Sequence, residues 1–216
     1  MKRKIFLDFD GTLFDTSALK KEMFALYKSV GFGAEEITKH YRLEAKDGLF
    51  SPYGLLDRLT RGDSKEKSRI CKSLAALLLT SDKYVYPDTI PYLSVLDREK
   101  FEINLMTLGD IRFQSTKVEH SGMKKYFDNL YYVDKAKWEI FDQYASFDEP
   151  FMFIDDREDT VYNIEARFPK SICLCIKRTD EDKDDLHHHP ISGKIKVIKN
   201  LNESFTYLDH INAGTT

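Results

Sequence analysis

Two carboxylates stand two residues apart in Phe6-Leu7-Asp8-Phe9-Asp10-Gly11-Thr12-Leu13-Phe14-Asp15, directly after the apolar run Ile5-Phe6-Leu7. If the run is a strand that continues, both side chains share one face. Carboxylates held that close in a partly desolvated crevice repel one another, so either a cation sits between them or one keeps its proton. Both outcomes suit catalysis. An ionised aspartate can attack phosphorus to give an aspartyl-phosphate, and a second with a raised pKa can protonate the leaving oxygen and later deprotonate water. Gly11 lets the backbone turn sharply beside a ligand.

Three more apolar runs end in residues of possible chemical use. Ile103-Asn104-Leu105-Met106 precedes Thr107, Leu130 to Val133 precedes Asp134 and Lys135, and Phe151 to Ile154 precedes Asp155 and Asp156. A hydroxyl with neighbouring backbone N–H groups can bind a phosphoryl oxygen without adding charge. A lysine, Lys135 or Lys137, offsets charge on a nucleophile and a transferring phosphoryl group. Carboxylates that converge from separate strand ends suit magnesium, which wants oxygen ligands and keeps several waters.

Positioning these groups requires a particular scaffold. Short runs rich in Ile, Val, Phe and Tyr read as buried strands, and the helical periodicity between several of them argues for a parallel sheet. In such sheets the functional crevice lies beyond the carboxyl ends of the strands, where all four polar clusters fall. About 85 residues separate the first two runs, far more than one crossover helix needs, so something is inserted there. Leu19 to Val30 carries apolar residues at three- and four-residue steps, Ile70 to Leu79 repeats the pattern and Glu35 to Tyr41 fits it. The insert reads as a small helical cap over residues 16–86, with Pro87 at the return and residues 1–15 and 87–216 forming the core. Beyond Ile154 the expected order is a helix at Thr160 to Arg167, a strand at Ser171 to Lys177, a charged loop from Arg178 to Asp185, an edge strand at Ile195 to Ile198, and a helix from Leu201 to Ile211 before a frayed tail at Ala213 to Thr216.

The composition agrees with one core and an appendage. The chain has 216 residues, 42% hydrophobic and 32% charged, with only 10 Gly and 6 Pro, which permits a packed core and excludes Pro/Gly-rich disorder. Lys and Arg number 33 against 36 Asp and Glu, so nothing in the balance points to a nucleic-acid partner. No apolar run reaches the 18 or so residues that span a bilayer. Asp8 and Asp10 interrupt the first apolar stretch too early for a signal peptide, and Cys71, Cys173 and Cys175 cannot all pair, so the expected location is the cytoplasm. His187-His188-His189 lacks the dispersed spacing of a metal site.

The segment Asp8-Phe9-Asp10-Gly11-Thr12-Leu13 resembles the first motif of the haloacid dehalogenase (HAD) superfamily, in which the first aspartate is the nucleophile and the second the acid/base. Dehalogenating members usually lack the second aspartate, so Asp10 points to phosphoryl transfer. The resemblance extends to Thr107 as the second motif, to Lys135-Ala136-Lys137-Trp138-Glu139-Ile140-Phe141 as the third, and to Asp155-Asp156 as the fourth. In the third, the family pattern Lys-Pro-x-Pro-Glu-x-Phe favours Lys135 over Lys137, with Ala136 and Trp138 replacing the prolines. Tyr86-Pro87-Asp88 is similar to the family's return from the cap. By this likeness the metal ligands are the Asp8 side chain, the Asp10 backbone carbonyl and the Asp156 side chain, with Asp155 adjacent. Asp159 supports them from behind.

The resemblance implies an α/β protein with a Rossmann-like parallel sheet core (HAD-like) and an inserted small α-helical cap domain. It implies a magnesium-dependent phosphatase acting on a small phosphorylated metabolite through an aspartyl-phosphate on Asp8, with Asp10 shuttling the proton and Thr107 and Lys135 holding the phosphoryl group. A phosphosugar mutase would use the same motifs. A receiver-like phospho-acceptor would place its acidic pair first in the chain rather than last, and a binding protein on a decayed scaffold would not need all four motifs. Tyr41, Arg42, Lys46, Tyr53 and Arg58 of the cap are available to the non-reacting part of a substrate.

Overall fold

The computed structural model describes residues 2–45, 49–178 and 195–212. Lys46, the greater part of the charged loop, His187 to His189 and the Ala213 to Thr216 tail lie outside the described residues.

The chain opens with strand β1 (Arg3–Leu7) and continues into helices α1 (Thr16–Ser29), α2 (Ala34–Glu44), α3 (Pro52–Thr60) and α4 (Ser64–Leu78). A 3-10 turn (Ser81–Tyr84) leads into α5 (Thr89–Val95), β2 (Phe101–Leu108), α6 (Ile111–His120), β3 (Asn129–Val133) and the short α7 (Lys137–Ile140). Then follow β4 (Met152–Asp155), α8 (Glu158–Arg167), β5 (Ile172–Ile176), β6 (Lys196–Ile198) and α9 (Phe205–Asn212). The expected insert therefore carries α1 to α4. Of these, α3 is the one periodicity did not indicate. Pro52 stands in its first turn, where the missing N–H costs nothing, and Leu55, Leu56 and Leu59 supply the buried face.

The strands pair in the order β3-β2-β1-β4-β5-β6, every pairing parallel. Alternate residues feed two cores. Ile5, Leu7, Ile103, Leu105, Met152, Ile154, Ile172 and Leu174 face one side together with apolar residues of α1 to α4, whereas Phe6, Met106, Phe153, Cys173 and Cys175 face the other. Burial on both faces is why the strands read as continuous apolar runs rather than alternating ones. Because β1 to β3 build outward on one side and β4 to β6 on the other, the strand order reverses at β1/β4, and a crevice opens at their carboxyl ends. Among the described residues, no helix is long and apolar enough to cross a membrane.

Candidate active site

Strand β1 ends at Leu7, and its ladder carries one residue further through the Asp8 N–H, which donates to the Ile154 carbonyl at 2.9 Å. The chain then bends at Phe9 and turns at Gly11, whose φ of +73° favours glycine. Asp8 and Asp10 consequently do not share a strand face. They enter two different environments.

Asp8 is 5% exposed. Its Oδ1 accepts from Lys137 Nζ at 2.5 Å, and the same ammonium donates to Asp155 Oδ2 at 2.6 Å. Asp155 ends β4, the strand beside β1, with Ile154 opposite Leu7, so the sheet itself sets the two carboxylates side by side. Burial pushes the Asp8 carboxyl up to about 7, with Asp155 and Asp10 adding to the rise and Lys137 opposing it. Burial works against the Lys137 charge, but Asp155 and Asp8 outweigh it and hold the ammonium above the ordinary lysine range.

Asp10 meets a different set of groups. Its Oδ1 accepts from Thr16 Oγ1 at the start of α1 and from Lys117 Nζ on α6, and its Oδ2 accepts from Gln114 Nε2 at 2.8 Å. Lys117 is 1% exposed, and its ammonium lies 5.3, 5.4 and 4.6 Å from the ring centroids of Phe9, Phe14 and Phe113. Desolvation alone would raise the Asp10 pKa, but the Lys117 charge and the bonds from Lys117, Thr16 and Gln114 bring it below the ordinary value. The carboxyl that rises is thus Asp8, not the second aspartate expected to carry the proton.

Lys135 requires correction. It is exposed after the end of β3, whereas Lys137 is buried at the first residue of α7 and reaches both Asp8 and Asp155. Register with the proline-containing pattern favoured Lys135. Ala136 stands at the N-cap position of α7, and Lys137, its first residue, is the buried lysine. Phe141, matched in the same motif, is fully buried against Phe6, Phe151, Phe153 and Phe168.

Thr107 sits near the end of β2, on the other side of β1, two residues past Leu105, which pairs with Leu7. It is fully buried, and its Oγ1 has no hydrogen-bond partner in the structure. A buried hydroxyl in that condition is uncommon and marks a place where a ligand oxygen would be welcome. Asp155 also accepts from the Arg157 N–H at 2.9 Å, and Asp159 pairs with Arg157 at 2.8 Å. Lys177 donates to the Asp156 carbonyl at 2.7 Å.

Asp8, Asp155 and Asp156 each offer a carboxylate oxygen, and these atoms lie within 4.8 Å of one another. The group fits a hard divalent cation. Its donors are all oxygen, and Lys137 bridges two of the three carboxylates, Asp8 and Asp155. Asp156 is pressed against the turn: a Cβ at Gly11 would lie 2.3 Å from Asp156 Oδ2. The Asp10 carboxylate is outside this cluster, bound to Lys117, Gln114 and Thr16, so only its backbone carbonyl remains as the expected ligand.

Lys117 and Gln114 were not singled out from the sequence. The available signal was a lysine four residues after Phe113 and next to Val118, on the buried face of an amphipathic helix. A lysine there needs a buried partner.

A family model described as haloacid dehalogenase-like hydrolase matches residues 3–146. No curated protein matches the sequence. Among solved structures, the chain is similar to a haloacid dehalogenase-like hydrolase from Burkholderia xenovorans, with a TM-score of 0.75 at 18% identity over 97% of both chains. It is similar to the HAD-hydrolase YfnB from Bacillus subtilis bound to magnesium, with a TM-score of 0.63 at 13% identity over 96% of this chain and 99% of that one. It also resembles L-2-haloacid dehalogenase from Xanthobacter autotrophicus with chloropropionic acid covalently bound, with a TM-score of 0.62 at 12% identity over 97% and 98%. At such identities these structures share the fold.

Proposed function

The chain belongs to the haloacid dehalogenase-like hydrolases, and from that premise we propose that it is a magnesium-dependent phosphatase that hydrolyses a small phosphate monoester through an aspartyl-phosphate on Asp8. The observation that carries this reading is Asp10, a second carboxylate fixed by three donors two residues after the nucleophile. A halide departs as a stable anion and needs no acid. An ester oxygen departs well only with a proton, and the water that follows must lose one.

In the first step an Asp8 oxygen bonds to phosphorus, the bond to the ester oxygen breaks, and that oxygen leaves with a proton from Asp10. In the second, water attacks phosphorus, the bond to Asp8 breaks, and Asp10 takes a proton back. One water is consumed. Lys117 favours ionised Asp10, the form needed in the second step. Delivering the proton in the first requires Asp10 to trade its Thr16 and Lys117 contacts for the substrate. Lys137 balances charge on Asp8 as phosphorus approaches, and the unpartnered Thr107 hydroxyl suits a phosphoryl oxygen. The side chains of Asp8, Asp155 and Asp156, with the Asp10 carbonyl, would hold magnesium. When bound, the ion would supply Lewis-acid charge that offsets the negative charge of the phosphoryl group and of Asp8. Helices α1 to α4, as a cap, would exclude water from the crevice.

The test is turnover on a panel of sugar phosphates, nucleotides, phosphoglycolate and phosphoamino acids, with and without magnesium, alongside chloride release from 2-chloropropionate. Magnesium-dependent phosphate release that disappears in Asp8→Asn supports the reading. Chloride release without metal, or discharge of the trapped intermediate by a sugar hydroxyl instead of water, replaces it with a dehalogenase or a mutase.

A further inference from the structure

Two stretches of chain join the strand end at Asp8 to α1 and bring the chain back from α4 to α5, and they run side by side. The Asp15 N–H donates to the Tyr84 carbonyl at 2.7 Å, the Tyr86 N–H donates to the Leu13 carbonyl at 3.0 Å, and Phe14 and Val85 form an antiparallel bridge between them. A two-stranded ribbon this short is a natural place for bending.

Immediately on the core side of that ribbon stands Arg178, two residues past β5. Its Nη1 donates to both Asp88 oxygens at 2.8 Å, its Nε donates to the Thr12 carbonyl at 3.1 Å, and its Nη2 donates to the same carbonyl. The guanidinium lies 4.3 Å from the Tyr86 ring centroid. Asp88 also accepts from the Leu201 N–H at 2.8 Å, which ties in the segment after β6. The Arg178 and Asp88 side chains are only 7% and 16% exposed. One planar fork therefore grips the outgoing linker at Thr12 and the returning linker at Asp88. A lysine could not reproduce that geometry.

Thr12 follows Asp10 and Gly11, and the Gly11 turn is the one Asp156 presses against. The Thr12 carbonyl stands two peptide units from Asp10, so a grip on it bears on the backbone that carries the Asp10 carboxylate. We propose that Arg178 is a positioning residue which, with Asp88, clamps the core ends of both linkers, so that the backbone of Asp8, Asp10 and Gly11 keeps its place when α1 to α4 move about residues 13–15 and 84–86 and Thr16 parts from the Asp10 carboxylate. The inference rests on reading α1 to α4 as a moving cap over a phosphatase site.

The test uses the full chain and three variants: Arg178→Gln, which keeps hydrogen bonding but loses the charged fork, Arg178→Lys, and Asp88→Asn as a milder break should Arg178→Gln fold poorly. Hydrogen exchange is followed together with turnover at a temperature well below melting. In Arg178→Gln, amides of residues 12–15, 84–86 and 88–89 should exchange about tenfold faster while those of β2 and β4 are unchanged. At the same time kcat should fall by about tenfold with KM held within about twofold, since a small misplacement near the chemistry costs rate rather than binding. Arg178→Lys should recover part of both effects. Unchanged exchange in the linkers overturns the clamp. A rise spread evenly over the sheet, or a local rise with kcat intact, overturns the positioning role. Should wild type hydrolyse no phosphate ester, the proposed activity fails, and linker exchange still decides whether the clamp exists.

Discussion

Asp8 and Asp10 are the same residue type two positions apart, and their surroundings push them in opposite directions. Asp8 lies beside Asp155 and Asp156 and pairs with Lys137, and its carboxyl is driven up to about 7, chiefly by burial. Asp10 lies against Lys117, Gln114 and Thr16 and is held below the ordinary range despite its own desolvation. The lesson concerns charge balance. In the first pocket one ammonium is shared between two carboxylates beside a third, whereas in the second a lysine of the protein is dedicated to Asp10. A bend at Phe9 and the left-handed turn at Gly11 separate the two within a few ångströms of chain.

The largest effect should come from the first pocket. Asp8→Asn should fold and lose more than about 10⁴-fold in kcat, as when a nucleophile is deleted. Phosphate release above that background would remove Asp8 from the role. Next, Lys137→Met should lower kcat by about 10²–10³-fold, the scale for one electrostatic donor at a transition state, while Lys135→Met stays within about twofold. Steady-state rates of the pair decide which ammonium serves the site, and a reversed order would reinstate Lys135.

The second pocket should reveal itself first in stability. Lys117→Met leaves the Asp10 carboxylate, 27% exposed, without its cation and should cost about 1–3 kcal/mol in urea unfolding, below the range for a fully buried pair because water reaches part of the carboxylate. The double variant with Asp10→Asn should recover part of that loss. If the double is as unstable as the sum of the singles, the two residues are not coupled.

The smallest effect is a pH slope, and it has opposite signs for the two carboxyls. In metal-free protein the Asp8 pKa of about 7 lies above its ordinary 3.8. Its contribution to stability is therefore full below about 3.8 and is lost as pH rises toward 7, at no more than about 1.4 kcal/mol per unit. Asp10, depressed, contributes above its ordinary value of 3.8 and loses that contribution as pH falls through its folded value. Between about pH 4 and 7 in chelator, wild type should lose melting temperature relative to Asp8→Asn, and magnesium at pH 7 should restore it to wild type alone. Parallel melting curves for the two proteins would show that Asp8 is not shifted.

Much of this molecule was legible in the order of its residues. Apolar runs that end in Asp8, Thr107 and Asp155 announced strands whose carboxyl ends form a crevice, because a strand buried on both faces must be apolar throughout and can turn polar only where it emerges. Three- and four-residue steps located α1, α2 and α4, and the strand-end residues Asp8, Asp155 and Asp156 marked the carboxylate cluster. Those signals are local, set by neighbours a few positions away. What tertiary structure decided was which charge meets which: that Lys137 rather than Lys135 turns inward, that Lys117 arrives from α6, 107 positions along the chain, to hold Asp10, and that Arg178 closes on Thr12 and Asp88. Partner choice between distant side chains depends on sheet order and helix rotation, and no local pattern of residue types encodes either.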